Sequence, residues 1–96
     1  ALSTVTEVLP THFALSQNYP NPFNPTTKIN VSLPSASEYS LTIYNVSGQK
    51  VHEFTGQNDA GVVTVEWEAS SFASGIYFYK LVAGDFASTK KMLLLK

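Results

Sequence analysis

Few of the side chains able to do chemistry in this sequence stand where chemistry would need them. There are two histidines, His12 and His52, and neither has another histidine or an aspartate at ligand spacing. His52 falls in a strand-like stretch and is read as a surface residue. Cysteine is absent, which removes disulfides and thiol-ligated metals together. No serine occupies a Gly-x-Ser-x-Gly elbow. Glu66 and Glu68 are two apart in "VEWE", so they share the solvent face of one strand and read as a solubilising edge. The loop "GQNDAG", residues 56–61, offers Asn58 and Asp59 to a cation. It lacks the series of carboxylates that a dedicated calcium loop carries. No glycine-rich phosphate cradle leads from a strand into a helix. Enzymatic activity, a cofactor, a metal and a small-molecule substrate are therefore not expected. Aromatic residues remain. Tyr44, Tyr77 and Tyr79 can form a sugar-stacking platform on a sheet face, or pack their rings in the core with the hydroxyls at its rim. Packing is the expected role.

The elements that must carry these residues are strands. "TKINVSLP" places Ile29, Val31 and Leu33 on one face and Lys28, Asn30 and Ser32 on the other, and stops at Pro34. "EYSLTIYN" turns Tyr39, Leu41 and Ile43 inward and Ser40, Thr42 and Tyr44 outward. In "NVSGQK", Gly48 is the natural occupant of a positive-φ turn position. "KVHEFTG" is irregular: Val51 and Phe54 are three apart, so either a bulge lets both face the core or one is exposed. "GVVTVEW" alternates Val63, Val65 and Trp67 against Val62, Thr64 and Glu66. "GIYFYKLVAG" has large side chains on both faces, Tyr77, Tyr79 and Leu81 against Ile76 and Phe78. That pattern suits a central strand, or one whose outer face a partner covers. Gly84-Asp85 is a hairpin tip, and "FASTKKMLLLK" is the last strand, paired with the one before it.

No helical period and no internal repeat interrupts this series. The expected fold is all-β, a single immunoglobulin-like antiparallel β-sandwich of about seven strands, with Leu41, Ile43, Val63, Val65 and Trp67 in its core. Ninety-six residues make one domain, which buries only roughly 60–65% of its unfolded surface. The net charge is −1 and there is no arginine, which disfavours nucleic acid as a partner. No apolar run reaches the length of a membrane span. The chain begins at Ala1 without a signal peptide and is expected to be a piece of a longer protein, cut or processed at its N-terminus. Residues 1–11, "ALSTVTEVLPT", read as a loosely ordered linker, and residues 12–96 as the domain.

Near the start of the domain lies "QNYPNPFNPTT", residues 17–27, with Pro20, Pro22 and Pro25 within six residues. Each proline fixes its own φ, lacks an N–H and pushes its predecessor toward extended geometry. This segment is neither helix nor central strand. It is expected to run as a turn-punctuated entry ribbon pinned by Phe23, a stiff collar holding the linker away from the folded edge.

Laid end to end, "LSQNYPNPFNPTTKINVSLP", "YSLTIYNVSGQKV", "VVTVEW" and "SGIYFYKLVAGDFASTKKMLLLK" resemble the C-terminal sorting domain of type A cargo of the type IX secretion system (the Por secretion tail family) of Bacteroidetes and related phyla. The resemblance spans about residues 13–96. A related immunoglobulin-like domain of flagellar hook-capping proteins shares the NPFNPTT and IYN-x-x-G portions.

The resemblance implies a non-catalytic address. Cargo fused ahead of it crosses the inner membrane by an ordinary signal peptide, and the domain folds in the periplasm. The outer-membrane translocon and its shuttle and sortase proteins then recognise it. On this resemblance the domain is cut off at the surface by a sortase-like cysteine protease, here within residues 1–11, which joins the cargo to an anionic lipopolysaccharide, or the domain is used for surface attachment. Gly75, Tyr77 and Lys80 match the family's G-x-Y-x-x-[KR] motif, with lysine in place of the commoner arginine. This keeps the charge and loses the fork. Lys90, Lys91, Met92, Leu93, Leu94, Leu95 and Lys96 match its terminal motif, and Asn18, Pro20, Asn21, Pro22, Phe23, Asn24 and Pro25 its entry motif. Alternation buries either Met92 and Leu94 or Leu93 and Leu95, leaving the other pair for a partner to cover. A structural spacer module and a carbohydrate-binding accessory domain are the other readings of the same fold.

Overall fold

Each strand with a clean alternation buries one face, and two such faces packed together make the molecule. The computed structural model describes residues 10–96. Seven strands follow in order: β1 (Ala14–Leu15), β2 (Thr26–Leu33), β3 (Ser37–Asn45), β4 (Lys50–Asn58), β5 (Gly61–Glu68), β6 (Gly75–Ala83) and β7 (Phe86–Leu94). They form a three-stranded sheet, β1-β2-β5, and a four-stranded sheet, β4-β3-β6-β7, with every strand pair antiparallel. The order is that of an immunoglobulin-like sandwich whose fourth strand sits beside the third, on the sheet of the sixth and seventh.

The core is the sum of the two inward sets. Ile29, Val31, Leu33, Val65 and Trp67 come from the smaller sheet and Leu41, Ile43, Tyr77, Tyr79, Leu81, Met92 and Leu94 from the larger. Trp67, Leu41, Ile43 and Val65 are buried as expected, whereas Val63 is only half-buried, packed against the core from edge strand β5. The irregular β4 has a bulge. Ile43 pairs with His52 and Tyr44 with Lys50, so Val51 is the additional residue, and both Val51 and Phe54 pack on the core. In the turn before it, the Asn45 carboxamide oxygen accepts from the backbone N–H groups of Ser47 and Gln49, both at 3.0 Å, and Gly48 takes φ +82°. β6 is central, and Ala83 pairs with Phe86 across the two-residue tip Gly84-Asp85.

The sandwich has two unlike sides. On one, β4 and β5 are the sheet edges. On the other, β1 and β7 are the edges, and β1 is only two residues long. The gap is closed at one end by a Phe13–Phe86 stack, centroids 5.7 Å apart, and at the other by residues 17–25.

Candidate functional site

Residues 17–25 do not stand off from the fold. They run along the outer edge of β7. The Gln17 carboxamide donates to the Lys91 carbonyl at 2.8 Å, and the Leu93 N–H donates to the Asn21 carboxamide oxygen at 3.0 Å. Phe23 then exchanges two backbone bonds, its N–H to the Leu93 carbonyl and the Leu95 N–H to its own carbonyl, each 3.0 Å. Its ring is buried against Trp67, centroids 5.8 Å apart. The peptide bonds before Pro20, Pro22 and Pro25 are all cis. The collar thus covers the sheet edge it was expected to hold the linker away from. Residues 1–9 of that linker lie outside the described residues.

A buried polar network fixes the collar from below. Asn18 donates its backbone N–H to the Tyr79 hydroxyl at 2.8 Å and its carboxamide to Pro20 O and Thr27 Oγ1 at 3.1 and 3.0 Å. Tyr79 in turn donates to the Ser16 carbonyl at 2.7 Å, and Thr27 donates to Pro20 O at 2.9 Å. Asn18, Thr27 and Tyr79 are all buried, where a polar group without a partner is costly. Asn18 is therefore a positioning residue for the entry segment.

Burial pushes the Tyr79 phenol up to about 12, against the opposing pull of its Asn18 bond. Between the ordinary value of 10.0 and about 12 the unfolded chain releases this proton while the folded chain keeps it. The unfolded state then binds fewer protons, so stability falls as pH rises through that window and is unaffected below it. The loss amounts to about 2–3 kcal/mol. Tyr79→Phe removes that slope and, by stranding Asn18 N–H and Ser16 C=O, costs about 1–3 kcal/mol at neutral pH. Urea midpoints of both proteins across the alkaline range test this. Parallel slopes would contradict the assignment.

The residues of the G-x-Y-x-x-K stretch and of the terminal stretch divide by face. Tyr77 is inward and buried, and its hydroxyl donates at 2.7 Å to Ala73 O four residues upstream, the tyrosine-corner arrangement of immunoglobulin-like sandwiches. Gly75 takes φ +150° at the start of β6, a region L-residues rarely adopt. Met92 and Leu94 are 1% and 0% exposed. These four residues maintain the fold. Lys96 is tied to the β5–β6 loop, by its N–H to Ser74 Oγ at 3.0 Å and its ammonium group to Ser70 O. Lys90 and Leu93 are half-buried, while Lys80, Lys91 and Leu95 are exposed. Of the entry motif, Pro20, Asn21, Pro22 and Asn24 are exposed and Pro25 is half-buried.

What remains outward gathers on the outer face of the four-stranded sheet. Cross-strand pairing sets Ile76 beside Leu93, Tyr44 and Lys91 on either side of Phe78, and Thr42 and Thr89 on either side of Lys80. At the collar end of this face a cleft of about 180 Å³ is lined by Asn21, Ile76, Lys91, Met92 and Leu93. The entry motif and the terminal motif, about seventy residues apart in sequence, meet there. Ile76 and Phe78 were not among the expected site residues. Their signal was the strand with large side chains on both faces. A broader depression of about 510 Å³, lined by Glu38, Tyr39, Thr55, Gly56 and others, lies at the opposite end and holds no motif residue.

Two other possibilities find no geometry. Tyr77 and Tyr79 are in the core while Tyr44 is on the opposite face of the sheet, so the three make no stacking row. Among the described residues no three His, Cys, Asp or Glu side chains gather where they could hold a metal ion. Asp59 is one of only two residues joining β4 to β5.

Comparison with solved structures finds a similar fold in the crystal structure of dimeric latent PorU from Porphyromonas gingivalis, with a TM-score of 0.69 and 16% identity. The match covers 95% of this chain and 10% of that one, so the chain spans a tenth of the length of the structure it resembles. A search among curated proteins finds no match. The family profile described as the secretion system C-terminal sorting domain matches residues 17–95, from the first collar residue to the last one bonded to it. The chain belongs to the secretion system C-terminal sorting domain family, the sorting signal of an exported protein.

Proposed function

We propose that this domain is read in its folded form by the type IX outer-membrane translocon and its shuttle and sortase proteins, as the address of a cargo fused ahead of it. The family match over residues 17–95 carries this reading. In transit the domain occupies the periplasm. It is then cut from its cargo within the linker, residues 1–11, or serves to attach the cargo at the cell surface. The domain proper begins at residue 12. Of the motif residues, Gly75, Tyr77, Met92, Leu94 and the collar act by maintaining the fold, and Lys80, Lys91 and Leu93 by being presented on its surface.

The test is a fusion of signal peptide, fluorescent reporter and residues 1–96 in a type IX-competent host, with a translocon-deficient strain as control. Surface or medium fluorescence is expected in the competent strain, with periplasmic retention in the other. Retention of a folded fusion in both strains would overturn the reading.

A further inference from the structure

The outer face of the four-stranded sheet is unlike the other large face of the molecule in charge. It presents Lys80 and Lys91, and neither has a carboxylate within 4 Å among the described residues. Lys50, beside Tyr44, is paired with Glu53 at 3.3 Å. The outer face of the three-stranded sheet instead carries Glu66 and Glu68 against the single Lys28. Glu38 and Glu53 lie on the outer face of the four-stranded sheet at its β3–β4 side, so the excess of positive charge is confined to the β6–β7 half, where Lys80 and Lys91 stand. Between and beside these lysines lie Ile76, 40% exposed, and the half-buried Phe78 and Leu93, ending in the cleft next to Asn21.

Apolar and aromatic groups at the centre with charges around them is the anatomy of a protein–protein interface. The apolar groups here are partly sunk between strands, and the cleft is a hollow, not a protrusion. This suits a partner that inserts a side chain better than a bilayer, which would have to be entered by projecting apolar groups. Unpaired lysines beside that hollow call for carboxylates opposite them.

We propose that this face is the docking surface of the domain, and that its occupant is a folded protein which seats an apolar side chain in the Asn21–Ile76–Leu93 cleft and sets carboxylates against Lys80 and Lys91. The proposal rests on the sorting reading above and adds which face is used and the chemistry of what meets it. Occupation along the β7 edge is not available between residues 91 and 95, because the collar already holds those backbone groups.

The reporter fusion supplies the test. Lys80→Glu with Lys91→Glu puts like charges opposite the partner's carboxylates, which weakens association by about tenfold or more. Export should fall accordingly, while Lys80→Arg with Lys91→Arg and the opposite-face pair Glu66→Lys with Glu68→Lys export normally. Ile76→Asp should reproduce the defect through the cleft. Thermal melts of each isolated domain must match the parent, since all these side chains are exposed. If the unaltered fusion is not exported, the sorting reading falls and this one with it. If it is exported, and the folded Lys80→Glu, Lys91→Glu variant is exported equally well, this face is not the docking surface although the sorting reading stands. Binding of the isolated domain to phosphatidylglycerol vesicles, or a dimer in sedimentation, abolished by the same pair would assign the face to lipid or to a second copy and overturn the proposal.

Discussion

Removal of residues 92–96 is expected to unfold the domain, not to leave a folded domain without its address. Met92 and Leu94 are core residues from the last strand, and truncating either to alanine costs about 2–5 kcal/mol. A domain of this size has about 5–15 kcal/mol in all. The deletion also strips the carbonyl and N–H groups of Leu93 and Leu95 from Phe23 and Asn21, releasing the collar whose ring lies on Trp67. Far-UV and near-UV circular dichroism with limited proteolysis of the isolated domain provide the check. A cooperative melt with parent-like dichroism would contradict the expectation. By contrast Leu95→Ser, at a side chain 50% exposed, should change stability by no more than about 0.5 kcal/mol. A terminal deletion that blocks export therefore cannot distinguish a lost address from a lost fold. Substitutions on the outer face can.

Trp67→Ala is the second large effect expected, about 3–5 kcal/mol. The indole is 2% exposed and stands at the centre of a four-ring cluster, with Phe72 at 5.3 Å, Tyr77 at 5.5 Å and Phe23 at 5.8 Å between centroids. The rings come from the collar, from β5 and the loop after it, and from β6. One cavity therefore loosens the seat of the entry segment and the packing of the tyrosine corner together. Urea unfolding should show the midpoint lowered by the equivalent of about 3–5 kcal/mol, and amide exchange at Phe23 and Leu95 should accelerate in what remains folded. A loss below about 0.5 kcal/mol, the level of an ordinary surface change, would mean that the cluster does not carry the weight assigned to it. Trp67→Phe should be milder, because a ring still occupies the space.

Alternation made the sandwich legible. The inward and outward sets of β2, β3, β5 and β6 fall as the residue types require, because a half-buried strand has a period of two. The β4 irregularity left two options that only the partner strand could resolve, since a bulge is defined by what it pairs with. β1 escaped because two residues give no period. The collar's engagement with β7 escaped for another reason: its bonds use backbone groups and two carboxamides some seventy residues distant in sequence, and nothing in local composition encodes such a partner. At the site, the terminal alternation raised two options for its leucines and the structure selects Met92 and Leu94 as buried. The odd and even numbering of Tyr77 and Lys80 already put them on opposite faces of β6, so one motif spans both a fold-forming and a surface residue.

The pairing of the collar with β7 also sets the order in which the chain can become a folded object. Entry segment and final strand are the two ends of the domain, and each is the lid on the other's hydrophobic side. A chain emerging amino end first has every strand but one available and still cannot close its core, because the groups that receive Phe23 have not yet emerged. Such long-range closure makes the last step depend on the last residues. The tertiary structure can therefore be completed only once residue 95 is available to receive Phe23.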